Sequence, residues 1–187
     1  MSKFVRKMTI LAKAEATYGV NSLPTAGLNA IRAFDVTAVP VEGDEIENNY
    51  VQAHFGATPT TQVTQYKSLS FSVPYSGVAA LGTMPGVSEL IRMCSTSVTN
   101  EVGVSTLFDP ITENPESGSL LFNIDGILHT SLGVRGTVTV DASAKAAPAW
   151  KFELKGSFVP LVDAPLPTGV VYTKFLNPLG VNKANTT

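Results

Sequence analysis

"YKSLSFSVPYSG", residues 66–77, alternates with a period of two. Leu69, Phe71, Val73 and Tyr75 fall on one side, and Ser68, Ser70 and Ser72 on the other. That pattern describes a strand with one buried face and one wetter face. Pro74 places it near a strand end or an edge. The same grammar returns at 136–159, "GTVTVDASAKAAPAWKFELKGSFV". Val138, Val140, Trp150, Phe152 and Leu154 point inward; Thr137, Thr139, Asp141, Lys151, Glu153 and Lys155 point outward, as a hairpin whose polar rows meet across the pair. "SLLFNI" (119–124) and "ILHTSL" (127–132) flank Asp125-Gly126, the two-residue signal for a tight hairpin.

Working outward, "IRAFDVTAVP" (31–40) reads as a weakly alternating strand closed by Pro40, and "VVYTKFL" (170–176) as a last strand. One helix is expected. "MPGVSELIRMCSTS" (84–97) sets Val87, Leu90, Ile91 and Cys94 at three- and four-residue spacing, with Ser88 as its cap. The fold class is therefore mainly β, an antiparallel sandwich or open barrel with one short flanking helix. Residues 1–28 read as an N-terminal arm, with a short strand possible near Thr9–Ala12. Residues 29–176 read as the β domain, and 177–187 as a loose C-terminal tail.

The totals exclude several classes. Of 187 residues, 15% are charged, against a usual share of about 25%, which suits a surface partly hidden by other subunits. Net charge is −2 and no basic block occurs, so tight electrostatic binding of nucleic acid is not expected. The single cysteine, Cys94, excludes an internal disulfide and reads as a small core residue. The apolar run Met8–Ala12 is too short for an export signal, and no stretch approaches a membrane span. Synthesis and retention in the cytosol are expected.

Residues 41–56, "VEGDEIENNYVQAHFG", crowd Glu42, Asp44, Glu45 and Glu47 beside His54. A calcium loop would need oxygen ligands at alternating positions followed by glycine, but Ile46 interrupts that spacing. His54 has no second histidine at zinc-ligand spacing. Paired catalytic carboxylates need a desolvated cleft, and these acids surround a local turn, Gly43-Asp44, as a solvated hairpin tip. The chain lacks a nucleophile elbow, a P-loop, a G-x-G-x-x-G and an H-E-x-x-H, and no metal or cofactor is expected. "NTT" at 185–187 matches a glycosylation acceptor by chance. What remains is contact: Tyr50, His54 and Phe55 among asparagines and a glutamine have the composition of a buried interface.

Five stretches carry a resemblance. "ILAKAEATYGVNSLPT" (10–25), "VEGDEIENNYVQAHFGATP" (41–59), "MPGVSELIRMC" (84–94), "NIDGILHTSLGVRGTVTV" (123–140) and "PAWKFELKGSF" (148–158) occur in an order that resembles the tail tube proteins of long-tailed bacteriophages, in particular Mu-like transposable siphophages. The resemblance covers most of the chain and is weakest at 95–118 and after 176. It implies a β-sandwich with a flanking helix, assembled as homohexameric rings stacked into a tube. The tape-measure protein would lie inside during assembly, and double-stranded DNA would pass through during infection without specific binding. The tail terminator and distal tail protein would be the end partners, and the virion tail the location. It also implies that a hairpin, here Glu42 to Pro59, and an arm, here Ile10 to Pro24 with Tyr18, reach neighbouring subunits and rings. A conduit should not retain phosphate, so a neutral or acidic lumen wall is expected, with Ser68, Ser70, Ser72, Thr137, Thr139 and Asp141 as candidates.

Two readings compete. A single-ring tail part, such as a terminator or distal ring, would share the sandwich without stacking. A carbohydrate-binding sandwich would need exposed aromatics clustered on one face, whereas Trp150 falls on the inward side.

Overall fold

The computed structural model describes residues 7–51, 53 and 56–181. The described chain is mainly antiparallel β. In order it forms β1 (Met8–Ala14), α1 (Ala26–Asn29), β2 (Ala30–Ile31), β3 (Phe34–Glu42), β4 (Glu45–Glu47), β5 (Thr60–Gln62), β6 (Tyr66–Pro74) and α2 (Ser88–Arg92). There follow β7 (Thr96–Glu101), β8 (Ser105–Pro110), β9 (Gly118–Ile124), β10 (Ile127–Asp141), β11 (Ala149–Phe158) and β12 (Val162–Asp163). One sheet runs β2-β1-β9-β10-β11-β6-β3, with β12 beside β10; β4-β5 and β7-β8 are separate ribbons.

The long strand β10 folds this sheet over. Its first half pairs with β9 and its second with β11, and the register shifts between Leu132 and Arg135. A bulge bends the strand that carries it and increases local twist. The two half-sheets enclose one core: Ile10, Ala12, Leu120 and Phe122 on one side, Leu69, Phe71, Val73, Phe152 and Leu154 on the other. Helix α2 supplies Leu90 and Ile91 and adjoins Met93. The Phe71 and Phe152 rings stack at 5.6 Å between centroids.

The expected β6 alternation is observed: Leu69, Phe71 and Val73 are buried, while Ser68 and Ser70 are half-buried on the opposite face. Asp125 and Gly126 make the β9–β10 turn with φ of +41° and +93°. Positive φ at both central residues is what a tight hairpin of this twist requires. Pro40 does not close β3; it lies inside it, tolerated because β3 is the last strand of the sheet.

Several expectations are corrected. The short strand expected near Thr9–Ala12 is present and longer than expected, so residues 8–14 belong to the sheet. They form β1, paired with β9 from Met8↔Ile124 to Ala14↔Gly118, because Ile10 and Ala12 belong to the core. Ser88 does not cap α2; Val87 holds that position without a side-chain cap, and the buried Ser88 hydroxyl has no hydrogen-bond partner among the described residues. "VVYTKFL" is no strand: the short β12 precedes it, and the segment is anchored instead by buried Phe175. Val140 is 52% exposed, because the core ends beside its partner Trp150, which Tyr75 covers at 4.9 Å. Hairpin β7–β8 and the single-turn α1 were not anticipated. Among the described residues no helix is long and apolar enough to cross a membrane.

Candidate functional site

The two half-sheets differ on their outer faces. Outside β1 and β9, Thr9, Leu11, Ser119 and Asn123 are buried. The segments after β1 and after β11 cover them: Ser22 N–H donates to Ser119 Oγ at 3.0 Å, and Asn123 Nδ2 donates to Ala164 O at 2.9 Å. Outside β3, β6, β11 and β10 the face stays open. There a groove of about 610 Å³ is lined by Thr37, Val39, Ser68, Ser70, Arg135, Thr137, Glu153 and Lys155.

Register builds that groove. Thr37, Ser70, Glu153 and Thr137 stand opposite one another across four strands. So do Val39, Ser68, Lys155 and Arg135, and likewise Phe34, Ser72, Lys151 and Thr139. Of the six residues expected on one polar wall, the structure puts all six on this face. Ser72 departs in exposure: it is buried, flanked by Phe34 and Lys151.

The face is close to neutral, since Arg135, Lys151 and Lys155 on it are balanced by Glu42, Asp141 and Glu153, two of the pairs in contact. Lys151 Nζ lies 2.8 Å from Asp141 Oδ2, and that contact, with Ser143, holds the Asp141 carboxyl down at about 2. Glu42 accepts from Ser68 Oγ at 2.8 Å and lies 3.9 Å from Lys155 Nζ, which also sits over the Tyr66 ring. The Arg135 guanidinium lies 5.0 Å over the Tyr18 ring and donates to Pro115 O. Exposed pairs of this kind add little stability, but they cancel charge where a ligand anion would otherwise be drawn.

From one edge of this face projects a hairpin. Beyond Glu42↔Tyr66 the chain continues as β4 paired with β5, from Glu45↔Gln62 to Glu47↔Thr60. The four acids are therefore not a tip. Glu42 roots the hairpin, Asp44 O accepts from Val63 N–H at 2.8 Å in its shaft, and Glu45 and Glu47 lie in β4. The Gly43-Asp44 turn is absent because Asp44 N–H donates to Thr64 Oγ1 across the shaft. Ile46, Tyr50, Val51 and Val63 are all exposed on this projection. His54 and Phe55 lie outside the described residues.

Sequence reasoning missed two charges, the buried Lys67 and the half-buried Glu15. Lys67 shares the inward phase of Leu69, Phe71 and Val73, so the alternation itself held the signal. Glu15, which ties the segment after β1 to β9 and β10, had none. Burial raises the Cys94 thiol to about 12, leaving it protonated and unreactive at neutral pH. Among the described residues no three of His, Cys, Asp and Glu converge on a point where a metal would sit. Compared with protein-family models and with curated proteins, the chain matches none.

Proposed function

We propose that this chain is the repeating subunit of a phage tail tube, forming homohexameric rings that stack into a conduit for DNA ejection. The observation that carries the reading is the pairing of an open, charge-balanced half-sheet face with a hairpin that projects from its edge and is exposed along both its strands. A projecting ribbon with four exposed apolar side chains gains stability only when a partner covers it. A wall of short polar side chains whose charges sum to about zero offers little counterion-release gain to passing phosphate.

In this reading the wall of Ser68, Ser70, Thr137, Thr139 and Asp141 faces the lumen, with Ser72 beneath it. The hairpin rooted at Glu42, with Asp44, Glu45, Glu47, Tyr50, His54 and Phe55, and the arm with Tyr18 make the contacts to neighbouring subunits and rings. The tape-measure protein, the terminator and the distal tail protein are the partners. The site of action is the virion tail, after synthesis in the host bacterial cytoplasm. The chain performs no catalysis.

A cryo-electron microscopy map of the assembled polymer tests the assignment. The reading expects Ser68, Ser70 and Thr137 on the inner wall. Finding them on the outer wall overturns it, and rings that never stack would identify a terminator or distal part instead.

A further inference from the structure

The sheet closes on its core along a seam that backbone hydrogen bonds do not cover. Ala38, Val39 and Pro40 of β3 approach Leu120 and Phe122 of β9 and His129 and Ser131 of β10 around a cleft of about 20 Å³. β3 pairs with β6 and with neither β9 nor β10, so side chains alone hold this seam. Two basic groups are buried in it. His129, 8% exposed, packs its ring 5.6 Å from Phe122. Lys67, 5% exposed, donates from Nζ to Thr130 O at 3.1 Å and Val159 O at 2.6 Å, with Phe158 beneath the ammonium at 4.9 Å.

Among the described residues no acid answers them. β3 and β9 bring only apolar residues to the cleft, β6 brings Lys67, Ser68 and Leu69, and β10 brings His129 and Ser131. The acids on flanking strands are engaged or exposed elsewhere. Glu42 accepts from Ser68 and faces Lys155, and Asp163 of β12 stands opposite Ile127 and is exposed. Lys67 makes no salt bridge among the described residues, so its charge is met by carbonyl dipoles and a ring.

We propose that His129 and Lys67 form an acid-sensitive latch on the seam between β3 and β9–β10. With a neutral imidazole the cleft stays shut; protonation places two like charges in a confined space to which the described residues bring no counter-charge, and the seam opens. Burial first, and the Lys67 charge second, hold His129 below its ordinary 6.5. A histidine held low gives stability that is full above that ordinary value. It is lost as pH falls toward the folded value. The latch is independent of the tube reading and applies to the single subunit.

Two measurements on the full chain test it. A nuclear magnetic resonance titration should show His129 protonating below 6.5, with amide exchange at Ala38, Val39 and Phe122 rising severalfold between pH 7 and pH 5, after correction for intrinsic rates. His129→Gln should abolish that rise while folding normally. Lys67→Met should move the His129 titration upward. If that variant fails to fold, the wild-type titration and His129→Gln still decide. An unshifted His129, or the same acid-dependent exchange in His129→Gln, overturns the latch.

Discussion

Glu15 Oε1 accepts the backbone N–H of Gly133 at 3.0 Å, joining the segment after β1 to the bulge that folds the sheet. The same carboxylate accepts from Ser119 Oγ and Ser117 Oγ, both at 2.8 Å, and from Gly19 N–H at 2.9 Å. One side chain thus satisfies four donors from three parts of the chain. Ser119 is fully buried, so nothing else can easily replace the acceptor it would lose.

Glu15→Ala should therefore cost about 2 kcal/mol of stability, the scale of a buried donor set left without its charged acceptor. Chemical denaturation followed by tryptophan fluorescence checks it.

The pH dependence at this carboxylate has a defined sign. Partial burial works to raise Glu15, but the donors from Gly133, Gly19, Ser117 and Ser119 outweigh it and leave it below its ordinary 4.5. Its contribution is present above that ordinary value and lost as pH falls through the folded one. Unfolding midpoints of wild type should therefore drop faster below pH 4.5 than those of Glu15→Gln.

Phe152 lies at the centre of the core, 1% exposed and stacked on Phe71. Phe152→Ala should destabilise by about 3–5 kcal/mol through lost burial and the cavity left behind. Calorimetry checks it.

A Cβ added at Gly136 would stand 2.0 Å from Glu153 O, a backbone atom of the paired strand. Gly136→Ala should accordingly break the β10–β11 register and leave little folded protein. Circular dichroism showing a native strand signal would refute this.

Much of this was legible in the chain. Period-two alternation located β6, the second half of β10 and β11, and Asp125-Gly126 located the β9–β10 hairpin, because local sterics and one-sided burial act on adjacent residues. The failures share a cause. Val140 fits the inward phase but lies past the end of the core, which no local pattern encodes. The strand at 8–14 was readable only as a short one within an arm, because its partner, β9, comes more than a hundred residues later. Lys67 was inward by phase, yet its solution, reaching one carbonyl of β10 and one just past β11, depends on tertiary neighbours. The rungs of the polar face were readable on each strand, but their alignment across four strands was set by pairing alone.

The projecting hairpin gives a separable test. Replacing residues 44–63 by a two-residue turn should leave the subunit folded, because β4 and β5 are exposed along their whole length. It should abolish assembly beyond single rings. Light scattering of the variant against wild type reads the difference.

The most direct measurement is negative-stain electron microscopy of the purified chain at high concentration, beside light scattering at low concentration. Long hollow tubes, or hexamers that grow into them, are the predicted result. A monomer at every concentration, with neither rings nor tubes on the grid, would contradict the account.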